Sequence, residues 1–232
     1  MLSLDELATE QPNPHTRDLD VLPVEEALLR LNDEDQRVPL AVRAEIPQIA
    51  RAVELVERAL RAGGRLIYVG AGTSGRLGCL DASEIPPTYG LDPGRVLAVI
   101  AGGDRALRRS IEGAEDDPAG GAAVVESLGV RERDVVCGIA ASGRTPYVLG
   151  ALDAARARGT ATVGVTTNRP SEMDARVDVL IALDVGPEPV SGSTRMKSGT
   201  AQKLVLNMLT TLAMVRIGKT YGNLMVDLRP TN

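Results

Sequence analysis

Phenylalanine and tryptophan are absent from the 232-residue chain and tyrosine occurs only four times, so any core must be aliphatic. Histidine occurs once. His15 stands in a proline-flanked stretch and reads as a surface residue, which takes histidine-based catalytic triads out of contention. The two cysteines, Cys79 and Cys137, sit in separate apolar contexts with no CxxC and no Cys/His cluster. They read as reduced, buried thiols, not as metal ligands or a redox pair. No basic patch accompanies the net charge of −5, which argues against a nucleic-acid or anionic-membrane surface. A small anion is still compatible, because it needs only local dipoles. No apolar run reaches the roughly 18 residues of a membrane span, and the first residues lack a basic region followed by an apolar core. A cytoplasmic location is expected. There is no GxxxxGK[ST], so nothing supports a P-loop nucleotidase.

What is present is globular in kind: 44% hydrophobic and 25% charged residues, enough for one α/β domain with a real core. Residues 1–23 carry three prolines among polar neighbours and predict an extended arm that wraps over something. Residues 24–62 repeat apolar side chains at helical spacing, and Gly63-Gly64 closes the last helix. That stripe serves packing or an oligomer face. Residues 1–62 are therefore expected to pack, as arm and helices, on a domain formed by residues 63–232. There, strand candidates at 66–69, 96–100, 135–139, 161–165 and 179–183 alternate with helical runs at 104–114, 119–128 and 146–158. Such alternation predicts a three-layer α/β/α sandwich around a five-stranded parallel sheet, with right-handed crossovers and order 2-1-3-4-5.

That order places the ends of the first and third strands side by side, where a crevice opens at the point of reversal. The loops meeting there are GAGTSGR (70–76) and AASGRTP (140–146), both rich in glycine and hydroxyls and both containing arginine. A third hydroxyl-rich segment, SGSTRMKSGTAQK (191–203), precedes a long apolar helix at 204–217. Each segment alone is explained equally by helix capping. Three together point to an anion site. The first loop fits GxGxxG, but a dinucleotide site needs an acidic residue at the end of the second strand, and Ile100-Ala-Gly-Gly103 supplies none. Hydroxyls and arginine in the loop suit a phosphate monoester better.

Two carboxylates adjoin these loops. Glu84 lies in DASEIPP, where Pro86 and Pro87 are expected to end the helix launched by the first loop; at a helix C-terminus it would suit a general acid. Glu115 lies in EGAEDDP, before Pro118. Spacing alone leaves each open as a solvated surface residue.

Taken together, GAGTSGRLG, DASEIPPTYG, IAGG, EGAEDD, IAASGRTPYV, GSTRMKSGTAQK and YGNLMVD resemble the N-acetylmuramic acid 6-phosphate etherases, bacterial members of the sugar isomerase (SIS) domain superfamily, over nearly the whole chain including TEQPNP. Kinship with the glucokinase regulatory protein follows at superfamily level. The resemblance implies a lyase that cleaves the ether between C3 of the sugar and D-lactate by elimination, then adds water to give N-acetylglucosamine 6-phosphate. It places the two acid/base glutamates on Glu84, the proton donor, and Glu115. Ser142, Thr145, Ser193 and Thr194 are then the expected phosphate donors, with Thr73 and Ser74 near the sugar and Gly72, Arg76, Arg144 and Lys197 completing the substrate site. Neither metal nor nicotinamide is needed, and a homodimer is expected. Family members continue into a small helical region after the segment matching MVDLRPTN, so a chain stopping at Asn232 is expected to leave a dimer interface or lid incomplete. A non-catalytic sugar-phosphate sensor and a sugar-phosphate isomerase are the alternatives on the same fold; a sensor has no need of DASEIPP and EGAEDD together.

Overall fold

The computed structural model describes residues 7–227. The first six residues of the expected arm, and residues 228–232 of the MVDLRPTN stretch, lie outside the described residues. Five parallel strands, β1 (Leu66–Gly70), β2 (Val96–Ile100), β3 (Val135–Ile139), β4 (Ala161–Thr166) and β5 (Val179–Ala182), form one sheet in the order β2-β1-β3-β4-β5. This is the expected topology. Gly70 is level with Ile100 on one side and Ile139 on the other, so the strands flanking the reversal end together.

Strand side chains alternate between two aliphatic cores. Leu66, Tyr68, Val135, Cys137, Val163 and Val165 face one; Ile67, Val69 and Val136 face the other. The first core is covered by α2 (Val38–Ala44), α3 (Ile46–Arg61), α4 (Gly72–Tyr89) and α7 (Lys197–Arg216), with α1 (Val24–Asp35) preceding them. The second is covered by α5 (Pro118–Ser127) and α6 (Pro146–Arg156). A short antiparallel pair that the strand pattern does not announce, β6 (Thr220–Tyr221) and β7 (Leu224–Met225), follows α7. No helix among the described residues is long and apolar enough to cross a membrane.

Three expectations need correction. The helix expected over 104–114 is absent: only single turns form at Asp104–Leu107 and Ala114–Asp116. Arg76 explains part of this, since its guanidinium donates to the carbonyls of Leu107 (3.1 Å) and Arg109 (3.5 Å) and pins an open chain. The helix after the first loop does not stop at the prolines. It runs through Pro86 and Pro87 to Tyr89 and ends on left-handed Gly90, so Glu84 lies within the helix and not at its terminus. The last helix begins at Lys197, seven residues earlier than its apolar run suggests, because polar groups rather than apolar ones start it.

Those polar groups form a buried lock. The Glu188 carboxylate accepts from the backbone N–H of Lys197 and of Ser198, both at 2.9 Å, and so caps α7 with a negative charge at its positive end. The Lys197 ammonium, 1% exposed, donates to Glu34 at 2.6 Å, and Asn13 donates to the same Glu34 oxygen at 2.8 Å. Burial opposes ionisation of Glu34, but the hydrogen bonds from Lys197 and Asn13 outweigh it and hold its carboxyl below the ordinary range. The arm is tied in beside this lock: Thr16 donates to the Pro189 carbonyl, Asn168 to Thr9 Oγ1, and the Gly192 N–H to the Thr9 carbonyl.

Removing one member of a buried ion pair strands the other charge. Lys197→Met is therefore expected to lower unfolding free energy by about 3–5 kcal/mol in urea denaturation, with much of the loss recovered in Lys197→Met/Glu34→Leu. A single variant as stable as the parent would contradict the lock.

Candidate active site

The site is built at the C-terminal ends of β1 and β3. β1 passes into α4 with almost no loop, which only glycines permit: a Cβ on Gly70 would lie 2.7 Å from the Gly75 nitrogen, and one on Gly75 would lie 2.6 Å from Ile100 Cγ1. Gly70 and Gly75 are therefore close-packing requirements of this strand–helix crossing and Gly72 takes a left-handed φ of 53°, so the GxGxxG spacing needs no dinucleotide to explain it. The second loop, between β3 and α6, is braced by the Thr166 and Thr167 hydroxyls and the Asn168 amide, all donating to the Ala141 carbonyl. The Thr167 hydroxyl also hydrogen-bonds with the Ser198 hydroxyl at 3.0 Å, which joins this loop to the start of α7.

Two cavities open here. One, of about 270 Å³, is lined by Gly72 and Arg76 from the first loop and by Glu115 from the β2–α5 connection. The other, of about 620 Å³, is lined by Ser142, Arg144 and Thr145, again with Glu115, and includes Arg176. Glu115 is thus common to both, and exposed. Thr145 is the residue before α6, yet its hydroxyl makes no capping bond, so capping does not account for it.

The remaining hydroxyl residues are placed differently. Thr73 and Thr194 both flank Gly199, where an added Cβ would lie 3.4 Å from Thr73 Cγ2 and 3.6 Å from the Thr194 carbonyl oxygen. Ser193 and Thr194 are half-buried in the turn before α7. Ser74 is buried and donates to Gln202 Oε1 at 2.9 Å, so its proton is directed into the protein. Lys197 is held in the lock with Glu34, so its ammonium points into the interior.

Glu84 lines neither cavity. It is exposed on α4 at the edge of a third hollow, about 240 Å³, together with Asp81, Lys203, Asn207 and the aliphatic Leu77, Leu80 and Leu206. Asp81 is one turn before Glu84 on the same helix face. It accepts from Tyr68 Oη at 2.9 Å and from Thr210 Oγ1 at 3.2 Å. Burial pushes its carboxyl up from 3.8 to about 6, against the pull of those hydrogen bonds and of Lys203. Burial also raises the hydroxyl of Tyr68 and the thiol of Cys137 behind it, each further raised by the charge of Asp81. Asp81, Lys203 and Gln202 are not among the residues that the sequence singles out. Helical spacing from Glu84 points to Asp81; Lys203 and Gln202 become visible only once α7 is seen to pack on α4.

Two family descriptions match: the glucokinase regulatory protein N-terminal SIS domain over residues 48–156 and the SIS domain over residues 122–212. The chain is 61% identical to an N-acetylmuramic acid 6-phosphate etherase of Salinibacter ruber, over 99% of this chain and 74% of that protein. It is 54% identical to one of Caldanaerobacter subterraneus subsp. tengcongensis, over 100% and 76%. Among solved structures, a phosphoheptose isomerase from Neisseria gonorrhoeae superposes with a TM-score of 0.60 over 82% of this chain and 99% of that one, at 22% identity, a likeness of fold.

Asp81 gives a pH signature. Between 3.8 and about 6 the folded protein holds the Asp81 proton and the unfolded chain does not, so stability falls as pH rises through that window and is level above it. At about 1.4 kcal/mol per pH unit, the cost at neutral pH is about 3 kcal/mol. Asp81→Asn is expected to remove that slope, so its stability relative to the parent, from urea denaturation, should climb between about pH 4 and about pH 6. A relative stability independent of pH would show that Asp81 does not titrate there.

Proposed function

The chain belongs to the N-acetylmuramic acid 6-phosphate etherase family, and we infer from that membership that it is a carbon–oxygen lyase acting on N-acetylmuramic acid 6-phosphate in the recycling of cell-wall amino sugars. The observation that carries this reading is identity above one half with named etherases over essentially the whole chain. The hydroxyl loops at the strand ends supply what the substrate's phosphate requires.

In this reading the 6-phosphate is held by Ser142, Thr145, Ser193 and Thr194, with Arg144 adding charge. Gly72, Thr73 and Arg76 border the sugar. Opening of the sugar ring to the aldehyde makes the C2 hydrogen acidic. A carboxylate takes that proton, the C2–H pair becomes the C2=C3 bond, the C3–O bond breaks, and a carboxylic acid protonates the departing lactate oxygen. Water then adds at C3, and C2 regains a proton. Glu84 is assigned as the donor to lactate, and Glu115 as the second acid/base group.

The separation of these glutamates supports a homodimer. Along α4 the rise from Gly72 to Glu84 is on the order of 18 Å, longer than one hexose phosphate. No described cavity contains both Glu84 and Glu115. Around Glu84 the α4 and α7 surface exposes Leu80, Met208, Leu212 and Val215, which a second copy would cover. Each site would then take Glu84 from one copy and Glu115 from the other.

Incubation of the protein with N-acetylmuramic acid 6-phosphate is expected to release D-lactate, and folded protein that releases none would overturn the etherase reading. Glu84→Gln and Glu115→Gln are each expected to slow release by about 10²–10⁴-fold, in the range of general acid–base contributions. Mixing the two inactive variants should restore roughly a quarter of parental activity, since half of randomly paired dimers carry one intact site. Absence of recovery despite subunit exchange would place both glutamates in one chain.

A further inference from the structure

The substrate assigned above carries two anions, the phosphate and the lactyl carboxylate, and only the first has been given a place. The second is what separates N-acetylmuramic acid 6-phosphate from its own product. Its position is constrained by covalent geometry. The lactyl carboxylate hangs on the carbon next to the ether oxygen, two bonds from the atom that receives the proton. Whatever binds it must therefore stand in the same hollow as the group that protonates that oxygen.

The hollow at Glu84 contains a single cationic side chain, Lys203. Lys203 is half-buried, and its ammonium donates to Asn207 Oδ1 at 3.0 Å, one turn along α7. Among the described residues it forms no ion pair with a carboxylate, unlike Lys197 and Lys219. Asp81 and Glu84 share the hollow but lie beyond salt-bridge distance of it, and Asp81 is engaged by Tyr68 and Thr210. Because Lys203 bonds to neither carboxyl group, its ammonium is left to meet an incoming carboxylate. The rest of the lining is aliphatic: Leu77, Leu80 and Leu206 offer a wall for a methyl group beside a cation for a carboxylate. A lactyl group is a methyl and a carboxylate on one carbon.

We propose that Lys203, oriented by Asn207, binds the lactyl carboxylate and so gives the site its preference for the lactyl ether over the same sugar phosphate without it. This rests on the assignment of Glu84 as the group facing the ether oxygen. It assigns a substrate contact to α7, and explains why one turn of that helix presents a lysine to a pair of carboxyl groups without bonding to either.

The test uses binding, so that it does not depend on turnover. In a Glu84→Gln background, affinities for N-acetylmuramic acid 6-phosphate and for N-acetylglucosamine 6-phosphate are measured by calorimetry, with Lys203 intact, as Lys203→Met and as Lys203→Arg. With Lys203 intact the lactyl compound is expected to bind more tightly. Lys203→Met should weaken it by roughly 10- to 100-fold, as loss of a charge-assisted hydrogen bond does, while leaving the affinity for N-acetylglucosamine 6-phosphate unchanged. Lys203→Arg should retain much of the preference. The proposal is overturned if no preference exists with Lys203 intact, if the preference survives in Lys203→Met, or if both ligands weaken equally. Failure of the etherase reading is seen separately, as absence of lactate release by the parent protein.

Discussion

A lysine with almost no exposure, held between two buried carboxylates, fixes the geometry on which the rest of this molecule depends. Glu188 bonds the first two amides of α7, and Glu34 bonds the side chain of Lys197 that begins it. Burying these charges is costly, and their mutual attraction only offsets the cost where every donor is matched. What the arrangement supplies is position. α1, the arm and the start of α7 are fixed to one another, and α7 then carries Ser198, Gln202, Lys203 and Thr210 to fixed places against the second loop and α4. An apolar contact at the same point would hold the helix less specifically, because aliphatic surfaces slide and a two-amide carboxylate cap does not.

The same lock decides where anions can bind. A helix N-terminus attracts negative charge through its free amides, and three helices begin near the reversal of the sheet. At α7 that role is already filled by Glu188. The starts of α4 and α6 have no side-chain cap from their preceding residues, Ala71 and Thr145. On the proposed reading an external phosphate would meet those uncapped starts on the β1 and β3 side of the crevice, where Arg144 and the Ser142 and Thr145 hydroxyls lie, with Ser193 and Thr194 before α7 completing its contacts.

The sheet is legible in the sequence because aliphatic strands alternate with turns so regularly that even the order of strands follows, and β2 and β3 have the bounds the pattern suggests. The stretch after β2 is not legible in this way. Residues 104–114 have helical composition, but Arg76 takes two of their carbonyls, a tertiary bond that no local pattern reports. Pro86 and Pro87 look like a stop, because each removes an amide donor, yet α4 runs through both to Tyr89 and ends on left-handed Gly90. In the candidate site, residue types single out loops that the fold brings together, while their individual duties stay hidden. Ser74 and Lys197 carry the chemistry expected of ligands, yet their polar atoms meet Gln202 and Glu34, partners 128 and 163 residues away in the chain.

α4 and α7 side by side therefore act as a ruler between two kinds of chemistry. Their N-terminal ends adjoin the glycine and hydroxyl loops, where dipoles and arginines favour a dianion. Farther along, the two helices enclose a hollow with aliphatic walls and three ionisable side chains, Asp81, Glu84 and Lys203. A proton donor is best kept away from a bound phosphate, whose charge would hold the proton back, and from the guanidinium groups that bind it, which would drive the proton off. Distance along a rigid helix solves both problems at once, provided the substrate reaches the donor from a neighbouring copy. On this view Tyr68 and Thr210 do more than satisfy a buried carboxylate. By holding Asp81 against the sheet they keep a carboxylate close enough to feel the charge of Lys203 and too constrained to pair with it.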